Sequence, residues 1–317
     1  MSETLVIALG GNAIKQAEQV GTFEEQIANV DVAAAQIAGI IETGCRVIVT
    51  HGNGPQVGSL LIQQEAGKAL VPEQPLFACG AMTQGTIGWM LQNRISHHAR
   101  ARGLDTSVVS VVTQVVVDGE DQDFQNPTKP VGPFYTKEEA DVLRKESGYI
   151  LGEMKPNAER GWRRLVASPQ PIDIVEKKAV RALIDSGVVV VASGGGGIPV
   201  YTDKNNDYLG IDAVIDKDRS AVLLAELVDA DHLMILTDVP NVLLNYGTPQ
   251  EQKLEKVSLD EMRKYIADGH FQAGSMGPKV EGAVRFAENT GKTATITSLD
   301  CALDGLRFAQ GTHITGI

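Results

Sequence analysis

Three glycine-rich turns are the first candidates for chemistry, because each follows an apolar, strand-like run. They are GlyGlyAsnAla at 10–13, GlyAsnGlyPro at 52–55 and GlyGlyGlyGly at 194–197. At the carboxyl ends of parallel strands, backbone N–H groups and helix N-termini converge on bound anions. Glycine also lets the backbone approach a phosphate without an intervening Cβ. A single turn of this kind is often only structural, but three together favour a phosphate or acyl-phosphate site.

The turn that begins at Gly52 also comes close to a dinucleotide-binding fingerprint. Gly52, Gly54 and Gly58 fit GxGxxG with one residue added. That fingerprint requires an acidic residue at the end of a strand about 20 residues further on. Here the sequence continues with LeuValProGluGlnProLeuPhe, whose two prolines disfavour a central strand. The P-loop motif GxxxxGK[ST] is absent as well, so neither nucleotide motif accounts for the turn.

Three lysines lie where a bound anion would explain their position. Lys279 follows Pro278 near the start of a predicted helix, where a cation opposes the helix dipole by ~0.3–1 kcal/mol. Lys217 lies at another predicted helix N-terminus, with Asp218 as the expected N-cap. Lys129 lies in AsnProThrLysProValGlyProPheTyr, whose prolines favour a stiff, extended backbone. For each lysine alone, a solvated side chain or a rigid loop remains the alternative interpretation.

The elements that must position these residues alternate as in an α/β protein with a mostly parallel sheet covered by helices. Strands are predicted at 5–9, 46–50, 107–117, 188–193, 232–237 and 293–297. Helices are predicted at 22–42, 56–68, 79–102, 174–186, 219–229, 259–267 and 279–289. The strands are continuously apolar, which indicates burial on both faces.

Residues 118–165 interrupt this alternation. They are rich in charge, proline and glycine, and only 137–146 has a helical pattern. The segment is too long for an ordinary connection. We therefore predict a small insert that protrudes from the sheet.

Composition limits the kind of partner. The 317 residues are 43% apolar and 21% charged, as in soluble globular proteins. The net charge of −12 disfavours nucleic acid or a membrane held by bulk charge, so an anion must be bound by local groups. Cys45, Cys79 and Cys301 are too scattered for a disulfide framework or a zinc site. With no signal peptide expected at the start of the sequence, we predict a cytoplasmic protein.

Seven stretches, in this order, resemble the amino acid kinase family, and most closely those members that phosphorylate carbamate. They are LeuGlyGlyAsnAla, ThrHisGlyAsnGlyProGlnValGly, AsnProThrLysProValGlyProPheTyr, GlyGlyGlyGlyIleProVal, ValIleAspLysAsp, LeuThrAspVal and GlySerMetGlyProLysVal. The resemblance runs from Gly10 to the terminal GlyThrHisIle. The stretches around Lys129 and Lys279 are the specific ones, whereas kinases that phosphorylate other carboxylates share the glycine turns.

This resemblance implies a fold and a reaction. The fold is a three-layer α/β/α sandwich with a mainly parallel central sheet and the protruding insert. Residues 1–205 would form the carbamate or acyl-phosphate lobe, and residues 206–317 the nucleotide-binding lobe. The reaction is the reversible transfer of a phosphoryl group between ATP and carbamate, giving carbamoyl phosphate and ADP, with Mg²⁺ as cofactor. A homodimer is also implied.

The resemblance further implies roles for single residues. Lys217 and Lys279 would neutralise the moving phosphoryl group, Asp218 would orient the two lysines, and Lys129 would bind the carbamoyl end. The residues expected to hold carbamate and phosphoryl are Gly10, Gly11, Asn12, Gly52, Asn53 and Gly54. Those expected to border the phosphates are Gly194, Gly195, Gly196 and Gly197. Those expected near the nucleotide are Thr237, Asp238, Val239, Met276 and Gly277.

The chemistry agrees with these residue types. Carbamate is already an anionic nucleophile, so it requires no general base, and no Ser/His/Asp or metal-ligand cluster is evident. Two unit anions ~4 Å apart repel by ~4 kcal/mol at an effective dielectric of 20, which lysines and aligned amides would offset. Two alternatives stay open: a kinase that acts on an amino-acid carboxylate, and a catalytically weak metabolite-binding protein.

Overall fold

The structure is a computed structural model that describes residues 2–271 and 275–316. Its strands are β1 (Thr4–Leu9), β2 (Arg46–His51), β3 (Val108–Ser110), β4 (Gln114–Val117), β5 (Lys129–Tyr135), β6 (Ile150–Glu153), β7 (Trp162–Val166), β8 (Pro171–Ile174), β9 (Val189–Val191), β10 (Ile198–Thr202), β11 (Tyr208–Gly210), β12 (His232–Thr237), β13 (Leu243–Leu244), β14 (Gln252–Lys253), β15 (Lys256–Ser258), β16 (Thr293–Ser298) and β17 (Thr312–Thr315). Its helices are α1 (Phe23–Glu42), α2 (Gly54–Gly67), α3 (Leu76–Ala101), α4 (Lys137–Glu146), α5 (Lys177–Asp185), α6 (Lys217–Leu227), α7 (Leu259–Ala267), α8 (Met276–Thr290) and α9 (Ala302–Leu306).

The central sheet has eight strands in the order β15-β17-β16-β12-β1-β2-β9-β3. Every neighbouring pair is parallel except β16 and β17. β1 lies in the middle of the sheet and every one of its residues is buried, as its uninterrupted apolar sequence predicts. The predicted mainly parallel sheet is confirmed.

Helices cover both faces of this sheet. On one face, Val6 and Ile48 belong to a core with residues of α6 and α8. On the other face, Leu5 and Val47 belong to a core with residues of α1 and α3. Alternate residues of one strand thus enter opposite cores, which confirms the predicted three-layer sandwich.

One predicted strand and, by three residues each, three predicted helix starts differ from the structure. The helices predicted from residues 79 and 279 begin three residues earlier, at Leu76 and Met276. The single strand predicted at 107–117 is two strands, β3 and β4, which belong to different sheets. The buried side chain of Gln84 bonds the backbone N–H and C=O of Thr113 between them. Because both strands are largely apolar, composition does not reveal this break. The helix predicted from Ile174 begins instead at Lys177, since Ile174 ends β8.

The segment predicted as an insert contains a small sheet of its own. Its strands have the order β5-β7-β6, and α4 has the predicted bounds, starting with a capping box between Thr136 and Glu139. Ala140, Leu143 and Leu151 form a separate small core there. A second sheet of the main body, in the order β11-β10-β4-β8, was not predicted.

No helix within residues 2–271 and 275–316 has both the length and the apolar character that crossing a bilayer requires.

Candidate active site

A cleft of about 490 Å³ collects residues from all three glycine turns. The turn residues on its wall are Gly11, Gly52, Asn53, Gly54 and Gly195. The four charged residues singled out in the sequence, Lys129, Lys217, Asp218 and Lys279, line the same cleft. Residues that are up to 268 positions apart in the chain are brought together because the turns leave the sheet at one edge.

Asp218 is the centre of the charged group. Its side chain is nearly fully buried, with Lys217 Nζ 2.5 Å from Oδ1 and Lys279 Nζ 2.9 Å from Oδ2. Burial alone would raise the pKa of the Asp218 carboxyl, but the two ammonium groups outweigh it and hold that pKa below its usual value. Two cations therefore share one ionised carboxylate, which leaves a net positive charge at the cleft wall.

The Lys217 ammonium is itself buried. Burial lowers its pKa, as does the nearby Lys279, while the attraction of Asp218 works in the opposite direction. A buried cation without full compensation is costly in a protein interior. A bound anion would supply the missing compensation.

The start of α6 explains how these side chains are presented. The N-cap is Asp216, whose Oδ1 accepts hydrogen bonds from the backbone N–H groups of Asp218 (2.9 Å) and Arg219 (3.3 Å). The predicted N-cap, Asp218, is therefore wrong. Either aspartate of AspLysAsp suits a cap by residue type. The structure uses the first, which leaves the second carboxylate free for the lysines.

Lys129 reaches the cleft from the insert. It is the first residue of β5, and its Nζ lies 3.2 Å from Asp216 Oδ2. Sequence reasoning missed Asp216 as a member of the site. The available signal is its spacing, one residue before Lys217 and two before Asp218, but residue type does not show which aspartate caps the helix.

The first two glycine turns approach each other at Lys217. A Cβ on Gly52 would lie 3.3 Å from Lys217 Cδ and 3.5 Å from Gly11 Cα, whereas a Cβ on Gly11 or Gly54 would meet no atom within 4 Å. Asn53 also lines the cleft, but its Nδ2 is bound to Thr83 Oγ1 at 2.8 Å. The open space in front of the two turns is where a ligand can approach the backbone.

The third turn only partly matches its predicted placement. Gly195 lines the cleft, but Gly194, Gly196 and Gly197 are absent from its wall. A Cβ at these three positions would lie 2.2 Å from His51 Nε2, 2.3 Å from the Ile215 carbonyl oxygen and 2.1 Å from Val115 Cγ2, respectively. In the structure these three glycines are required by packing.

His51 lies behind the cleft rather than in it. Burial lowers its pKa to about 4, against the hydrogen bond of its ring with the Gly52 carbonyl oxygen, which raises it. That bond joins Nδ1 to the oxygen at 3.0 Å, so Nδ1 carries the proton. The geometry agrees with an orienting role for this histidine and not with proton transfer.

A second pocket, of about 290 Å³, adjoins the charged cleft and shares Ser275 with it. Its wall includes four of the predicted nucleotide-binding residues, Thr237, Asp238, Val239 and Met276. Gly277 follows Met276 but is buried and does not line this pocket.

Gly10 and Asn12 face a third cavity, which also borders Thr237 and Asp238. Asn12 Nδ2 donates a hydrogen bond to Asp238 Oδ2 at 2.7 Å. The structure thus places these two residues towards the predicted nucleotide side and not among the lysines. Of the quoted stretch GlySerMetGlyProLysVal, Gly274 lies outside the described residues.

Within 2–271 and 275–316, no group of three or more His, Cys, Asp or Glu side chains is arranged to hold a metal ion.

A family model described as "Amino acid kinase family" matches residues 3–298. The chain belongs to the amino acid kinase family. It is 50% identical to a carbamate kinase of Pyrococcus horikoshii, covering 99% of this chain and 100% of that protein. It is 51% identical to carbamate kinase 2 of Enterococcus faecalis, covering 98% of each.

Solved structures of this family agree with the fold. A carbamate kinase from Giardia lamblia bound to AMP-PNP is 47% identical and has a TM-score of 0.93, covering 99% of this chain and 98% of that one.

Proposed function

We propose that this amino acid kinase family member is a carbamate kinase, a phosphotransferase with a carboxyl group as acceptor. It catalyses reversible phosphoryl transfer between ATP and carbamate, giving carbamoyl phosphate and ADP. The observation that carries the proposal is the Lys217–Asp218–Lys279 group, which lies among the glycine turns and next to the pocket of Thr237 and Met276. Relatives with this activity match the chain over nearly its full length.

The main task of such a site is to bring two anions together. In the ATP-forming direction, a β-phosphate oxygen of ADP attacks the phosphorus of carbamoyl phosphate, and the bond from phosphorus to the carbamate oxygen breaks. Negative charge is then spread over the transferring group, midway between the two bound anions. Lys217 and Lys279 would stabilise that charge, and Asp218 would hold both ammonium groups in place. Carbamate leaves as a resonance-stabilised anion, so no proton transfer is required.

Substrate contacts divide between the two sides of the cleft. Lys129 would bind the carbamoyl end from the insert, while Gly11, Gly52 and Gly54 would present backbone N–H groups to the phosphoryl group. Thr237, Asp238, Val239 and Met276 would contact the nucleotide. In this arrangement residues 1–205 form the carbamate lobe and 206–317 the nucleotide lobe.

Mg²⁺ fits the donor set as an ion that arrives with the nucleotide. Mg²⁺ commonly keeps several waters and binds substrate phosphates with one or two carboxylates. The described residues provide no dedicated cluster, and both oxygens of Asp218 are engaged by lysines. The ion would neutralise part of the phosphate charge. We further propose a homodimer, which light scattering of the purified protein would test.

The deciding experiment is ATP formation from carbamoyl phosphate and ADP by the purified chain. We expect turnover with carbamoyl phosphate and none with acetyl phosphate or an amino-acid acyl phosphate. Turnover with an amino-acid acyl phosphate alone would favour the related kinase, and binding without turnover would favour a metabolite-binding protein.

A further inference from the structure

We propose that Asp216 is a positioning residue that ties Lys129 of the insert to the N-terminus of α6. The proposal rests on the carbamate kinase function and assigns a role to a residue outside the predicted site. One carboxylate makes both connections: Oδ1 accepts from the N–H groups of Asp218 and Arg219, and Oδ2 lies 3.2 Å from Lys129 Nζ. The lysine expected at the carbamoyl end is thus held by the residue that begins the helix carrying Lys217 and Asp218.

Other contacts also connect the insert to the segment before α6, and together with the Lys129–Asp216 pair they form a joint between the two. The strand that returns from the insert runs beside the segment leading to α6, where Val214 N–H donates to the Ala167 carbonyl at 3.0 Å. Arg164 of β7 pairs with Asp212 at 3.2 Å. The insert also packs on α2, where Val131 of β5 and Val57 belong to one small core. These contacts and the two chain connections of the insert link its position to the transfer site. Asp216 lines the cleft and is the residue of this region that pairs with Lys129.

The pair is placed to orient Lys129 without removing it from solvent. The side chain of Lys129 is 38% exposed and that of Asp216 is 18% exposed. A lysine has four side-chain torsions to restrict before it can bind a small anion in a defined place. An ion pair with a carboxylate that is itself fixed by two backbone N–H groups restricts them before the substrate arrives.

The negative charge of Asp216 and its contact with Lys129 predict opposite changes in the KM for carbamoyl phosphate in Asp216→Asn. Removing a negative charge from a cleft that binds anions should lower the KM for carbamoyl phosphate if bulk electrostatics dominates. Loss of the Lys129 contact should raise that KM if position dominates. Asparagine is as good an N-cap as aspartate, so a residue that acts only as the cap predicts no change.

We expect Asp216→Asn to raise the KM for carbamoyl phosphate by about fivefold, the upper value for a partly exposed ion pair. The KM for ADP and the thermal midpoint should stay close to those of the unsubstituted enzyme. Asp173→Asn is the matched control, because it removes an Asp–Lys pair with Lys177 outside the cleft. An unchanged or lower KM for carbamoyl phosphate in Asp216→Asn would overturn the proposal.

A double-substitution cycle tests the route through Lys129. In a Lys129→Met background, Asp216→Asn should produce no further rise in the KM for carbamoyl phosphate, because the partner is already absent. The same fivefold rise in both backgrounds would show that Asp216 acts independently of Lys129. If Asp216→Asn folds poorly, Asp216→Ser retains a capping oxygen, is too short to reach Lys129 and has the same expected outcome. Absence of ATP formation by the unsubstituted protein would instead refute the proposed function.

Discussion

The molecule contains two kinds of glycine-rich turn, which look alike in the sequence but differ in what surrounds the glycines. In the turn after β9, a Cβ on Gly194, Gly196 or Gly197 would lie within 2.1–2.3 Å of another protein atom. In the turns after β1 and β2, a Cβ on Gly11 or Gly54 would meet nothing within 4 Å. The first turn requires glycine to fold, whereas Gly11 and Gly54 in the other two turns leave space for something that is not protein. The comparison separates structural glycines from those that would face a ligand.

The largest effect is expected where the protein itself needs glycine. Gly196 has φ +92°, and its Cβ would lie 2.3 Å from the Ile215 carbonyl oxygen. Gly196→Ala should lower the free energy of unfolding by roughly 2–5 kcal/mol, adding left-handed strain to overpacking. Chemical denaturation measures this. Gly187→Ala is the control, because Gly187 has φ +80° but open space around its Cβ position. An equal loss in the control would show that backbone strain, and not packing, requires glycine.

A comparable effect, but on turnover, is expected on the ligand side of the cleft. Lys279→Met keeps much of the side chain and removes the charge held by Asp218, so kcat should fall by roughly 10²–10³, equivalent to about 2.7–4 kcal/mol. The KM values should change less, since the charge is needed chiefly in the transition state. Lys279→Arg should restore little, because a planar guanidinium does not replace a compact ammonium. Steady-state kinetics in the ATP-forming direction measures both variants.

The exposed Lys264 supplies the control for this series. Lys264→Met should leave kcat and both KM values unchanged. Near-normal kcat in Lys279→Met would mean that the lysine has no part in the transfer and does not offset the repulsion between the two bound anions.

A smaller effect is expected for glycine in open space. Gly11→Ala should leave stability within about 0.5 kcal/mol, since no contact opposes the methyl group. We expect turnover with carbamoyl phosphate to fall by about tenfold, because the methyl group would enter the space where the phosphate meets the backbone. Gly85→Ala, at an exposed and equally open position within α3, should leave turnover unchanged and raise the free energy of unfolding by about 0.5–1 kcal/mol, because alanine favours a helix over glycine. Unchanged activity in Gly11→Ala would remove this turn from the ligand site.

The elements of the fold also differ in how well the sequence predicts them. Buried parallel strands such as β1 and β12 are continuous apolar runs, so they were predictable. The insert strands were not, because their residues are partly exposed and mix charge with aromatic contact. In β7, for example, the guanidinium of Arg163 lies 5.2 Å from the ring centroid of Phe134, and that of Arg164 lies 4.0 Å from that of Tyr149. Hydrophobic alternation in the sequence does not reveal such packing between cationic and aromatic side chains.

The lysines of the site were predictable because their positions are unfavourable without an anion. The difference between Gly195, which lines the cleft, and its three packed neighbours was not predictable. It depends on which atoms of β2 and of the segment before α6 come close in space. Asp216 was missed for a related reason: residue type alone does not decide which of two neighbouring aspartates caps a helix. The residues of a site are thus easier to recognise than the contacts that position them.

The smallest effect concerns the histidine between the two kinds of turn. Burial lowers the pKa of both His51 and His232 to about 4 from 6.5. Between pH 6 and 5 the unfolded chain therefore binds more protons than the folded one, and stability falls as the pH falls. Each histidine should contribute a loss of roughly 1 kcal/mol over that interval. His51→Gln and His232→Gln should each reduce this acid sensitivity, whereas His97→Gln, at an exposed position, should not. Denaturant titrations at the two pH values measure the difference.

The same two substitutions should differ in their effect on turnover. Because His51 packs on Gly194 behind the cleft and His232 lies at the opposite end of β12 from Thr237, only His51→Gln should also lower turnover. Equal turnover in the two variants would mean that the turn after β9 is structural throughout and contributes nothing to the placement of the ligand turns.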